Sequence, residues 1–238
     1  QIGLTEAEVT GALLCLDVTE AVLDEAIALG YNLVISHHPL IFKGYKSITG
    51  KDYVERCILK AIKNDIVIYS AHTNLDNAYG GVNYKIAEKI GLKNLQVLEP
   101  KENSLQDDLT QVGAGIVGEL DELETELEFL KRIKKTFEVG CVRHNRLTGR
   151  EIQKVALCGG AGAFLLPQAI RAGADVFITG EIKYHDYFGH EGDILMAEIG
   201  HYESEQYTKE IFYSIIRDLF PNFALQSSKI NTNPIKYL

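Results

Sequence analysis

The strongest constraint on this chain is a repeated alternation. A short apolar run is followed by a polar break and then by residues at helical spacing. Residues 11–18 (GALLCLDV) suit one buried strand. Thr19 is placed to cap a following helix, with Val22, Leu23, Ala26 and Ile27 on one face and a stop at Gly30. Residues 33–36 read as a strand, 53–63 as a helix, 66–71 as a strand, and 81–90 as a helix closed by Gly91. Such β-α alternation favours an α/β sheet with helices on its faces.

The stretch 99–110 (EPKENSLQDDLT) is polar, contains a proline and reads as a linker. A second half begins after it. Residues 112–120 look like a strand and 122–137 like a charged amphipathic helix. Strands are expected at 139–143, 155–158, 174–179, 194–199 and 223–226, and a helix at 164–172. One long helix is expected over 201–219, with Tyr207, Ile211, Ile215 and Leu219 on one face. The predicted organisation is α/β: an N-terminal lobe over 1–102, a linker or the site of a missing insert at 103–110, and a C-terminal lobe over 111–238. A chain of 238 residues can bury a core in each.

The net charge of -9 argues against a general nucleic-acid binder, which normally carries a basic face. Four cysteines without a C-x-x-C pair read as reduced structural thiols. With no secretory leader and no apolar run of membrane length, the expected location is cytoplasmic, with no membrane partner.

Three polar clusters each follow a predicted strand, where open α/β sheets place their ligands. The first is Ser36-His37-His38-Pro39. Pro39 favours extended geometry at His38, so the two imidazoles diverge and suit separate ions of a pair. The second is His72-Thr73-Asn74-Leu75-Asp76, in which Asp76 offers a hard carboxylate and His72 a ligand, a supporting group or a proton carrier. The third holds His201 and Glu205, four apart and hence on one helical face. Taken singly, each cluster also reads as an ordinary polar turn or an acidic helix start. Together they supply three imidazoles and two carboxylates, a set that suits zinc, manganese, iron or nickel better than magnesium or calcium. Five ligands without cysteine fit a two-metal site if one carboxylate bridges.

The segments VISHHPLIFKG, SAHTNLDNAYGGVN, CGGAGAFLLPQAIRAGADVFITGEIKYHD and EIGHYESEQ resemble the signature blocks of the dinuclear-metal family of GTP cyclohydrolase 1 type 2 homologues, also called NIF-three-like. The resemblance implies two divalent ions per chain. In it His38 and Asp76 would bind one ion, His37 and His201 the other, and Glu205 would bridge, with His72 beside the centre. It also implies two similar α/β lobes and a toroidal homohexamer. Family members usually carry a helix before the first strand, so residues are expected to precede Gln1. Longer members insert a domain between the lobes, whereas here 99–110 passes straight from one lobe to the other, as expected of a short member or of a sequence from which the insert is omitted.

The function expected is a metal-dependent hydrolase acting on a small molecule, with GTP and opening of the guanine imidazole ring as the family's suggestion. Glu181 and His185, with Tyr184 beside them, are placed to join His72 in handling protons. The alternatives are a non-catalytic metal-binding or regulatory protein and a metal-dependent phosphodiesterase. Gly113–Gly118 matches G-x-G-x-x-G in the wrong context for a dinucleotide loop. Gly159-Gly160-Ala161-Gly162 could meet an anion, but reads better as a close-packing turn. Lys43 and Lys46 are weak phosphate candidates, and Ser36 and Ser204 lack a nucleophile-elbow setting.

Overall fold

A computed structural model describes residues 1–101 and 111–238. In chain order its elements are β1 (Ala12–Cys15), α1 (Glu20–Leu29), β2 (Leu33–Ser36), α2 (Tyr53–Lys63), β3 (Val67–Ser70), α3 (Thr73–Asp76) and α4 (Val82–Ile90). They continue with β4 (Lys93–Pro100), β5 (Gly113–Thr125), α5 (Glu126–Thr136), β6 (Arg143–His144), β7 (Glu151–Cys158), α6 (Leu166–Arg171) and β8 (Val176–Thr179). The last are β9 (Leu195–Glu198), α7 (His201–Glu205), α8 (Thr208–Leu219) and β10 (Leu225–Ser227). Short 3-10 turns occupy Ala163–Leu165 and Tyr184–Tyr187.

The chain forms two compact units, one of residues 1–73 and 208–235, the other of residues 74–207 and 236–238. The sequence placed the division between 1–102 and 111–238. The chain instead crosses within α3 and returns after Tyr207, because β10 completes the first sheet and β4 pairs in the second. The proposed linker 103–110 lies outside the described residues.

The first unit is a four-stranded sheet in the order β10-β1-β2-β3, parallel throughout. Thr19 caps α1 by accepting a hydrogen bond from the Val22 N–H, and Gly30 ends it in the left-handed region at φ 69°. Asp52 caps α2 in the same way, accepting from the Glu55 N–H at 2.8 Å. Val22, Leu23 and Ala26 of α1 and Cys57, Ile58 and Ala61 of α2 pack with Leu13, Val34 and Ile68 of the strands. Helix α8 lies against β1 and β10.

The second unit is a six-stranded mixed sheet in the order β4-β5-β7-β8-β9-β6. Its centre, β7-β8-β9, is parallel and in register. Thr125 and Glu128 form a reciprocal capping box at the start of α5. On one face Ala156, Phe177 and Met196 of the sheet pack with Leu166 and Ala169 of α6.

The expected long helix over 201–219 is two helices. It breaks at Gln206-Tyr207, where the Gln206 side-chain amide donates to the Phe137 carbonyl and the Tyr207 hydroxyl to that of Thr136. The buried residues of α8 are Thr208, Ile211 and Phe212, whereas Ile215 and Leu219 are exposed. The strand predicted at 139–143 shortens to Arg143–His144, and β4 lies where no strand was read. Among the described residues no helix is long and apolar enough to cross a membrane.

Candidate metal-ligand clusters

In the first unit the register of the sheet builds the cluster. Strands β1, β2 and β3 run side by side, with Cys15 opposite Ser36 and Ser36 opposite Ser70. Residues just past those ends therefore share one edge: Asp17 after β1, His37 and His38 after β2, and His72 after β3. The backbone holds this edge. His37 N–H donates to the Cys15 carbonyl, His38 N–H to that of Leu16, and Ala71 N–H to that of Ser36. The buried Ser36 hydroxyl adds a 2.8 Å bond to the His38 carbonyl and stands 2.8 Å from Ser70 Oγ.

Ring nitrogens of His37, His38 and His72 lie within 4.8 Å of one another, a spacing that could hold a metal ion. The His37 and His38 rings have centroids 5.0 Å apart and planes tilted by 50°. They approach more closely than strict alternation along an extended pair would bring them. Each is drawn to its own acceptor, His37 Nδ1 to the Ala71 carbonyl at 2.9 Å and His38 Nδ1 to the Asp17 carboxylate at 2.7 Å. A carbonyl or carboxylate can only accept, so each ring carries a proton on Nδ1, and in the neutral form its lone pair is on Nε2. His72 meets both rings edge-on, at 5.3 and 5.5 Å, and Phe42 meets His72 at 5.7 Å.

In the second unit β7, β8 and β9 end together, with Cys158 opposite Thr179 and Thr179 opposite Glu198. Glycines follow each end. Gly160 has φ +60°, and an added Cβ would collide with Glu205 Oε1. At Gly180 a Cβ would sit 2.6 Å from the Gly160 carbonyl and 2.9 Å from His201 Cα. This close backbone approach lets α7 bring His201 and Glu205 onto the strand ends.

Hydrogen bonds through the glycine turn link the Asp76 and His201 segments of this unit. Asn83, buried on α4, donates to the Asp76 carbonyl at 2.9 Å and accepts from the Gly159 N–H at 2.9 Å. The next amide, Gly160 N–H, donates to Ser204 Oγ, which donates in turn to the His201 carbonyl. Gly162 N–H is taken by Thr179 Oγ1. Three of the turn's four amides thus bond to protein groups, as a close-packing turn requires. The buried Cys158 thiol is pushed up to about 12, first by burial and then by the carboxylates of Asp76 and Glu205.

His201 repeats the pattern of the first unit. Its Nδ1 lies 2.8 Å from Glu181 Oε1, and its Nε2 lies 3.2 Å from Glu205 Oε2. With the proton on Nδ1, a lone pair faces a carboxylate, an arrangement relieved by a second proton or by a cation. Two ligand atoms at about 2.1 Å from one tetrahedral ion stand about 3.4 Å apart. The observed 3.2 Å fits a shared cation, and the donor set fits a transition metal.

Of the remaining candidates, His72 joins the first cluster and Glu181 is committed to His201. His185 is exposed on the 3-10 turn, its ring packed against Tyr184 and Phe188 at 5.2 and 6.2 Å. Residues 113–118 lie within β5, with no helix opening among them, so the dinucleotide fingerprint is excluded. The sequence reading missed Asp17 and Asn83. Asp17 fell inside the strand read over 11–18, which in the structure ends at Cys15.

A family profile described as Duf34/NIF3 (NGG1p interacting factor 3) matches residues 1–234. A protein of Lactococcus lactis named GTP cyclohydrolase 1 type 2 homolog is 34% identical over 98% of this chain and 88% of its own length. One of the same name from Clostridium perfringens is 37% identical over 86% of this chain and 76% of its own. A Staphylococcus aureus relative, again so named, is 28% identical over an alignment of 340 positions that spans all of this chain and 92% of its own length. Among solved structures, a hypothetical protein of Staphylococcus aureus matches with TM-score 0.91 at 34% identity, covering 100% of this chain and 90% of that one. A Bacillus cereus protein related to NIF3 matches with TM-score 0.89 at 27% identity, covering 100% and 92%.

Proposed function

This chain belongs to the Duf34/NIF3 family, and we propose that it is a dinuclear metal-binding protein that works as a metal-dependent hydrolase. His37, His38, Asp76, His201 and Glu205 hold two divalent transition-metal ions per chain, drawn from zinc, manganese, iron and nickel. One observation carries this reading. All three ligand imidazoles have Nδ1 engaged by an acceptor, so each presents Nε2 as a ligand atom. When bound, such ions supply Lewis-acid activation of water at neutral pH.

The chain's own residues do the rest. His72, in ring contact with His37 and His38, is the group we assign to moving protons. The relatives' name points to GTP as the substrate class and to hydrolytic opening of the guanine imidazole ring. We extend that to this chain, together with a cytoplasmic location and assembly as a homohexamer.

A second reading, a metal-binding or regulatory protein without turnover, is favoured by one observation. Two of the three expected proton carriers are otherwise engaged, Glu181 with His201 and His185 with Tyr184 and Phe188. His72→Ala separates the two readings. Turnover of GTP lost with metal content intact supports the hydrolase, and a parent protein that turns over no nucleotide supports the second reading.

The metal claim is tested by plasma mass spectrometry on the parent, His37→Ala and Glu205→Ala, with circular dichroism melts to confirm folding. The expected result is about two transition-metal ions per chain in the parent and a loss in both variants. A parent that holds no metal, and takes up none when zinc, manganese or iron is supplied, overturns it.

A further inference from the structure

The cluster in the first unit includes a group that neither the ligand set nor the proton carriers account for. Asp17 lies two residues past the end of β1, and its Oδ1 accepts from His38 Nδ1 at 2.7 Å. Its other oxygen accepts from Thr232 Oγ1 at 2.6 Å. Both carboxylate oxygens are therefore bonded. Thr232 belongs to the segment after β10, and its hydroxyl fixes which way Asp17 faces. The pair is sheltered, with side-chain exposures of 14% for His38 and 35% for Asp17. The second unit has a more open version, His201 at 31% and Glu181 at 58%.

We propose that Asp17, oriented by Thr232, is a positioning residue that locks His38 with its proton on Nδ1 and its lone pair on Nε2, and that Glu181 does the same for His201. The inference rests on the metal-centre reading for its purpose but not for its geometry. A neutral imidazole exchanges its proton between two nitrogens, and only one tautomer offers Nε2 to an ion. An acceptor fixed on Nδ1 removes the competing tautomer before the ion arrives. The carboxylate also raises the basicity of the ligand nitrogen. Glu181 is thereby reassigned from proton carrier to ring holder. Its effect is smaller than that of Asp17, because water competes more freely for an exposed carboxylate.

The test uses two readouts on the full chain. Long-range nitrogen–proton NMR correlations on the metal-free, histidine-labelled protein at pH 8 report the tautomer of each ring. Zinc affinity is measured by competition with a chelator. In the parent, His38 and His201 show the Nδ1–H form. Asp17→Ala moves His38 towards Nε2–H and weakens zinc binding by about 10- to 100-fold. Asp17→Asn keeps an acceptor oxygen, so it retains the parental tautomer and recovers part of the affinity. Thr232→Val weakens binding less than Asp17→Ala, and Glu181→Ala shifts only His201. An unchanged His38 tautomer in a folded Asp17→Ala protein overturns the proposal, as does Asp17→Asn behaving like Asp17→Ala. Should the parent bind no zinc, the metal reading fails on its own. The tautomer measurement then still decides whether Asp17 positions the ring.

Discussion

The two units solve one structural problem in different ways. Each sets three adjacent parallel strands in register, β1-β2-β3 in one and β7-β8-β9 in the other, and each gathers its candidate ligands past the strand ends. In the first unit the histidines sit directly on the chain leaving the strands, and sheet-like backbone bonds hold them. In the second, glycines follow the strand ends, and His201 and Glu205 ride on the short helix α7, packed so closely that side chains at Gly160 and Gly180 would collide with it. Placement by sheet register depends on few special residues. Placement by close backbone approach depends on positions where any added atom is harmful.

That contrast predicts unequal sensitivity. The largest effect is expected from Gly160→Ala. The left-handed conformation costs an alanine about 1–2 kcal/mol, and overpacking against Glu205 adds about 1–3 kcal/mol. A thermal melt should fall by several degrees, with loss of any bound metal. A Gly160→Ala protein as stable as the parent would break the comparison.

Next comes a matched pair. Asn83→Ala leaves a part-buried carbonyl and a part-buried amide without this partner and should cost about 1–3 kcal/mol in urea unfolding. Ser36→Ala, on an edge the backbone already holds, should cost about 1 kcal/mol or less. A reversed order would show that side chains, not register, organise the first cluster.

The smallest expected effect is one of reactivity. Cys158 is buried in the field of Asp76 and Glu205, and its thiol is raised to about 12. Cys57 is buried and raised to about 11, and burial raises Cys15 further still. A thiol whose pKa is raised stays protonated up to that pKa, so at pH 8 these three supply almost no thiolate. Native protein treated with iodoacetamide at pH 8 should be alkylated at the exposed Cys141 alone, and at all four cysteines once unfolded. Rapid native labelling of Cys158 would mean that the second unit is looser than its glycine packing implies.

The same contrast explains what could be read from the sequence. Strand β2 and helix α2 were legible to the residue, since an apolar run ending in Ser-His-His-Pro and an apolar spacing after Asp52 are local signals. The three polar clusters proposed as ligands could be singled out because each follows a strand. The break between α7 and α8 was not, because apolar spacing continues across Tyr207 while the cause is tertiary: bonds from Gln206 and Tyr207 to residues 136 and 137. Strand β4 was missed because it is an edge strand of mostly exposed residues with weak alternation. Asn83 and Asp17 were silent because their partners lie far along the chain, at Gly159 and Thr232. The unit boundary failed for a related reason. No composition shift announces that a chain will return to its first sheet.

That return has a consequence for biosynthesis. Ala12 pairs with Leu225, so the first sheet lacks an edge strand, and the covering helix before it, until residues 208–227 have emerged. Residues 74–207 are contiguous and can close on themselves earlier. The part translated first thus waits for residues made after 74–207, and the bond from Thr232 that steadies Asp17 against His38 can form only after that stretch has been synthesised.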